Sequence, residues 1–233
     1  VDDIRFHSKY DFEEIFTYFS SQLSPKEDFQ IEQYNSDDSF EATQIAEISV
    51  KLSSREEVSF KTDFSFTLDP FNDRSWRFWF QNLSWLPMHL DTLAEEAIEV
   101  QADYVVLRWI TFMQDKKSNS EFFYHDHSLA YRAINLIECM DFFSDEMRIT
   151  LIHHLTEIGT LLVSPIEDNA LSNHAFDQAI ALFLISDFLT SNPFSQSWQE
   201  ISLARIEREL DYSFTNDGVH VENSPSYHHG MIT

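Results

Sequence analysis

The chain has 233 residues, 43% hydrophobic and 15% aromatic, enough apolar material for a real core in one large or two small globular domains. Its 40 acidic residues against 15 basic give a formal net charge of −25, a field that repels phosphate backbones and anionic lipid surfaces and argues against nucleic acid as a partner. No run of about 18 uncharged apolar residues occurs, so no membrane span is expected, and the opening V-D-D-I-R-F-H lacks the apolar core of a signal peptide.

Position 1 is Val rather than Met, which leaves removal of a leader open, and Cys139 is the sole cysteine, so no internal disulfide can form. From Asp11 to Leu23 the spacing of Phe12, Ile15, Phe16, Tyr18, Phe19 and Leu23 predicts a helix, ended by Ser24-Pro25. Between about Phe40 and Leu68 the pattern changes to alternation, in I-S-V-K-L and V-S-F-K-T-D-F-S-F-T-L, which predicts short strands closed by Asp69-Pro70. The aromatic run R-S-W-R-F-W-F-Q-N-L-S-W-L-P-M-H-L then predicts a buried helix interrupted or bent near Pro87.

Five further helices are expected, over Leu93–Gln114, Ser128–Phe143, Ser144–Leu162, Asn169–Leu189 and Gln196–Phe214, each with apolar residues three or four apart. Short breaks such as D-K-K-S-N-S and T-S-N-P-F-S separate them, so a serial antiparallel array of helix pairs follows. No repeat of fixed length is visible, which disfavours a tetratricopeptide-like solenoid and favours a toroid or bundle of irregular hairpins.

Four groups of residues could carry chemistry. Asn173-His174 opens one of these helices after a loop, where side chains project from a helix N-terminus; taken alone, the pair reads more readily as a cap and a surface residue. The run S-P-S-Y-H places Tyr227 and His228 after a proline turn, beside Glu222 and Asn223, and a tyrosine can give a proton to an alkoxide leaving group. In isolation such a run reads as an aromatic loop anchor. In Y-H-D-H-S-L-A-Y-R, His125 and His127 are too few to hold a metal, and Asp126 and Arg132 are better placed to orient them. His153-His154 lie within a helix with side chains diverging by about 100°, and no role is assigned to them. There is no phosphate-binding glycine loop, dinucleotide fingerprint, H-E-x-x-H or G-x-S-x-G, while the abundant carboxylates leave a glycosidase acid pair open.

With these residues placed, the chain resembles the heparinase II/III-like superfamily of polysaccharide lyases. L-D-P-F-N-D-R-S-W-R-F-W-F-Q-N-L-S-W-L and H-D-H-S-L-A-Y-R are similar to two of its segments, S-N-H to its Asn-His pair, and D-G-V-H-V-E-N-S-P-S-Y-H-H to its most specific signature. The resemblance implies an all-α, incomplete α/α toroid of antiparallel helix hairpins, with the family's C-terminal β-sandwich not represented in residues 1–233. One toroid-type domain is expected, with 1–70 forming a helix and an extended section and 71–233 the helical array.

The implied reaction is β-elimination on a uronic-acid glycan, in which a base removes the proton at C5 and the oxygen on C4 departs. Asn173 would neutralise the carboxylate, His174 would be the base candidate, and Tyr227 would protonate the departing oxygen or act as both base and acid. His127, Arg132, Glu222 and His228 are second-rank candidates for substrate contact or for orienting the first three. The chemistry requires no cofactor and no metal, the partner is an acidic polysaccharide or oligosaccharide, and relatives favour the periplasm or secretion. Two alternatives are a non-catalytic carbohydrate-binding or assembly protein and an α/α-barrel glycoside hydrolase.

Overall fold

The computed structural model describes residues 47–52, 55–61, 64–114, 121–122, 125–164 and 173–213. The helix expected over Asp11–Leu23 lies outside them. Strands β1 (Ile48–Val50) and β2 (Val58–Phe60) pair antiparallel with Ile48 opposite Phe60 and Val50 opposite Val58. Ile48, Val50 and Phe60 are buried, whereas Ser49 and Ser59 face solvent with their hydroxyls 3.1 Å apart, so the alternation read from the sequence is a one-sided hairpin.

The alternation beyond Phe60 does not continue as strand. Phe64 and Phe66 turn inward onto Phe80, and two side chains satisfy the backbone that a strand partner would have served: Arg108 Nη2 donates to the Phe64 carbonyl (2.8 Å) and Gln81 Nε2 to that of Phe66 (3.0 Å). The aromatic rings thus outcompete a longer hairpin.

Helix α1 (Arg74–Gln81) starts at Asp73, whose carboxylate accepts the Ser75 N–H and is itself held by Arg55. It stops at Asn82, and a turn with Leu83 at φ 64° leads into α2 (Leu86–Leu90). The break therefore precedes Pro87 rather than coinciding with it. Pro87 lies in the first turn of α2, where no helical N–H is required of it. A left-handed leucine costs about 1–2 kcal/mol. It is held by burial of the Leu83 side chain and by Asn135 from a later helix, whose amide donates to the Asn82 carbonyl (2.9 Å) and to Ser84 Oγ (3.2 Å).

The remaining helices are α3 (Glu95–Gln114), α4 (Asp126–Glu138), α5 (Asp145–Val163), α6 (Asn173–Phe188) and α7 (Ser195–Ser213), with a short 3₁₀ turn at Met140–Phe142. Four of the five expected spans are reproduced to within a few residues, while the one foreseen over Ser128–Phe143 is shared between α4 and this turn. None of the described helices is long and apolar enough to cross a membrane.

Neighbouring helices pack on one another and α4 also lies against α6, the helix after next, as in a segment of an α/α toroid. Polar ties set the helix ends. Ser144 caps α5 by accepting the Met147 N–H, and both its hydroxyl and its N–H donate to Asp103 of α3, whose pKa burial raises. Arg205 of α7 donates to the carbonyls of Leu162, Val163 and Ser164, the partnerless acceptors at the end of α5. Burial, then repulsion from Arg208, pushes the Arg205 pKa down to about 10, so it remains charged at neutral pH.

Where α5 meets α7, Gly159 faces the indole of Trp198, and a Cβ built there would lie 2.7 Å from one ring carbon and 2.8 Å from another. Trp198 has no exposed surface to retreat into. Gly159→Ala is expected to lower stability by about 1–3 kcal/mol through overpacking, despite the better helix propensity of alanine; urea unfolding followed by tryptophan fluorescence measures it.

Candidate functional site

The first turns of α4 and α6 come together. Asp126, in the first turn of α4, accepts the N–H of His127 on one oxygen (2.7 Å) and the side-chain amide of Gln178 from α6 on the other (2.8 Å). His127 Nε2 lies 2.7 Å from Asp177 Oδ2, and because an ionised carboxylate only accepts, this nitrogen carries the hydrogen. Three residues before Asp177 on the same helix, His174 stacks on His127 with ring centroids 4.0 Å apart and planes inclined 26°. His125, at the N-cap of α4, meets His174 edge-on at 5.9 Å.

An aromatic wall backs the histidines. Phe78 lies 5.2 Å from His127, Tyr131 lies 5.0 Å from it, and Trp79 packs edge-on against Tyr131 at 4.9 Å. Burial, followed by the nearby charge of Asp177, pushes the Tyr131 pKa up to about 12. The hydroxyl stays a neutral donor in water at any ordinary pH. The His174 pKa falls below its ordinary value, first because the ring is partly desolvated and second because His127 lies beside it; Asp126 and Asp177 oppose the shift and His125 adds to it. The site thus holds a neutral imidazole against a hydrogen-bonded one.

Of the residues singled out in the sequence, His174 and His127 are brought into contact, and Asn173 is placed as the first residue of α6. Tyr227, Glu222 and His228 lie outside the described residues. Arg132 is directed elsewhere: it is fully buried, its guanidinium 4.7 Å over the Trp109 ring, with one nitrogen 3.4 Å from the Phe122 carbonyl. In this arrangement it packs in the core behind α4. Asp177, Gln178 and Tyr131 were not singled out. The only sequence signals for them are the His-x-x-Asp spacing of His174 and Asp177 and the His-x-x-x-Tyr spacing of His127 and Tyr131, both of which put the pair on one helix face. Among the described residues no group of three or more His, Cys, Asp or Glu side chains has the geometry to hold a metal ion.

Helices packed as part of an α/α toroid, with imidazoles and carboxylates gathered where two helices begin, define the class of scaffold. Residues 135–233 match the family model described as Heparinase II/III N-terminus, a match that starts within α4 and runs through the S-N-H and S-P-S-Y-H segments. That C-terminal stretch of the chain is similar to the N-terminal part of heparinase II/III-like proteins. No curated protein and no solved structure gave a match.

Since the proximity of His127 holds the His174 pKa down, His127→Gln is expected to raise it towards the ordinary 6.5, read from the ring-carbon proton shifts in an NMR titration. The linkage sign follows from the direction of the shift. A histidine depressed in the folded state contributes stability that is fully present above 6.5 and is lost as pH falls from there through the folded pKa, because the unfolded chain binds the proton first. The acid limb of a stability profile is expected to shift accordingly in the variant.

Proposed function

We propose that the protein acts as a polysaccharide lyase, or as the toroid portion of one, cleaving a uronic-acid glycan by β-elimination. The observation that carries this reading is His174: a partly exposed imidazole, kept neutral by desolvation and by a second stacked imidazole, at the N-terminus of a helix inside the family match. A base for the weakly acidic C5 proton has to be unprotonated at working pH and within reach of substrate, and His174 meets the first condition by its surroundings. Asn173, beside it at the start of α6, would donate a hydrogen bond to the substrate carboxyl so that the enolate-like form is stabilised. Tyr227 would return a proton to the oxygen leaving C4, giving an unsaturated sugar on one side of the break and a free hydroxyl on the other.

Charge is the apparent obstacle, since the chain carries −25 and the substrate is an anion. Local fields favour binding nonetheless. The first turns of α4 and α6 adjoin, each presenting the positive end of its peptide dipoles, and Asp126 and Asp177 are both engaged by neighbouring donors rather than turned out as bare charges. The half-buried Phe78, Trp79 and Tyr131 supply an apolar surface against which a pyranose ring could rest.

Ultraviolet absorbance of reactions with heparan-type, alginate-type and bacterial capsular polysaccharides tests the proposal, because the C4–C5 double bond of the product absorbs where the substrate does not. Turnover is expected on at least one of them, falling about 10²–10⁴-fold in His174→Ala and abolished in a folded Tyr227→Phe. Binding without cleavage across the panel, or saturated reducing sugars as products, would reject the lyase reading in favour of a binding protein or a hydrolase respectively.

A further inference from the structure

We propose that Asp177 is the positioning residue of the imidazole pair: by accepting the Nε2 hydrogen of His127 it fixes the tautomer and plane of that ring, and the fixed ring in turn sets the face and protonation of His174. The catalytic meaning of this device rests on the lyase reading, but its geometry does not. Three independent contacts converge on the one carboxylate or the ring it holds. The His127–Asp177 distance of 2.7 Å is short for a nitrogen–oxygen contact, as expected where the acceptor is charged. The Tyr131 ring packs on His127 at 5.0 Å from the next turn of α4, and Phe78 covers the same ring from α1 at 5.2 Å.

An imidazole has two ring nitrogens and rotates freely when neither is engaged. With Nε2–H tied to Asp177, rotation stops and Nδ1 is left without the hydrogen in the neutral form, so His127 meets His174 in one orientation. Partial desolvation and the His127 ring stacked 4.0 Å away hold the His174 pKa below its ordinary value, so His174 is kept as the free base. Among the described residues the other ionisable groups facing the pair are His125 and Asp126 at the start of α4 and Tyr131 one turn on, and Asp126 is already occupied by Gln178 and the His127 N–H. None of them touches His127 Nε2 in place of Asp177. The role is accordingly that of a carboxylate behind a histidine, with the second histidine, not the first, as the proton acceptor.

The decisive measurement needs no substrate. Long-range nitrogen–proton NMR on the full chain with labelled histidines, assigned by His127→Gln and His174→Gln, reads the neutral tautomer of His127 directly. The Nε2–H form is expected in the native protein, retained in Asp177→Asn, whose amide oxygen still accepts, and lost to a mixture in Asp177→Ala. An Nδ1–H form in the native protein would overturn the proposal, and so would a folded Asp177→Ala with an unchanged His127 spectrum. If Asp177→Ala fails to fold, as circular dichroism would report, the native tautomer and the Asn variant still decide. Once a substrate is turned over, Asp177→Ala is expected to lower kcat about 10–100-fold with KM near the native value, the pattern of a lost orienting partner rather than lost binding. Absence of turnover on every polysaccharide together with the expected tautomer would sink the lyase reading while leaving Asp177 as the group that orients the pair.

Discussion

The contact between the first turns of α4 and α6 is made by polar pairs, and the candidate site depends on it. Apolar burial can hold two helices together in several registers, since leucine-sized knobs slide with little penalty. Hydrogen bonds to a carboxylate cannot slide, because displacing the partner leaves a partly buried charge unpaired at a cost of about 1–3 kcal/mol or more. Asp126 with Gln178, and Asp177 with His127, therefore fix α6 along and around its axis relative to α4. The stacked histidines are a consequence of that registration.

Behind the site, α4 is anchored on two further sides by side chains that would be anomalous on a simple amphipathic helix. Arg132 buries a full cation over Trp109, and Asn135 reaches back to the turn that follows α1. Burying a guanidinium carries a desolvation cost, here offset in part by the ring face and by carbonyl and hydroxyl acceptors at the start of α4. The turn from Asn82 to Trp85, with its left-handed leucine, is where α1 is stopped so that Phe78 can lie over His127. The core and the site are linked through these few polar contacts, which is why a rigid helical scaffold can hold titratable groups to a fixed geometry.

Much of this was legible in the residues. Helical spacing located α3, α5, α6 and α7, while the role of Ser144 as the cap of α5 emerged from the structure. Alternation located the hairpin but overran it, because the rings of Phe64 and Phe66 belong by their packing to the aromatic core around Phe80 and not to a sheet face. Proline drew attention to position 87 although the backbone turns at 82–85, where Leu83, a residue with no turn propensity, adopts positive φ only because its side chain is buried and its neighbours are hydrogen-bonded. At the site, His174 and His127 stood out by type and place. Asp177 did not, since an aspartate on a largely apolar helix carries no mark of a partner some fifty residues earlier in the chain.

What the sequence by itself determined is the helical class, the approximate helix spans, and the segments that resemble heparinase II/III-like enzymes, all of which are carried by local periodicity or by contiguous residues. Only the tertiary structure decided that His127 and His174 share one stack, that Asp177 and Tyr131 stand behind it, and that Arg132 belongs to the core. The physical reason is range. Propensity, capping and hydrophobic period act within a turn or two of the chain, whereas hydrogen bonds between side chains some fifty positions apart exist only after packing has set which faces of α4 and α6 meet.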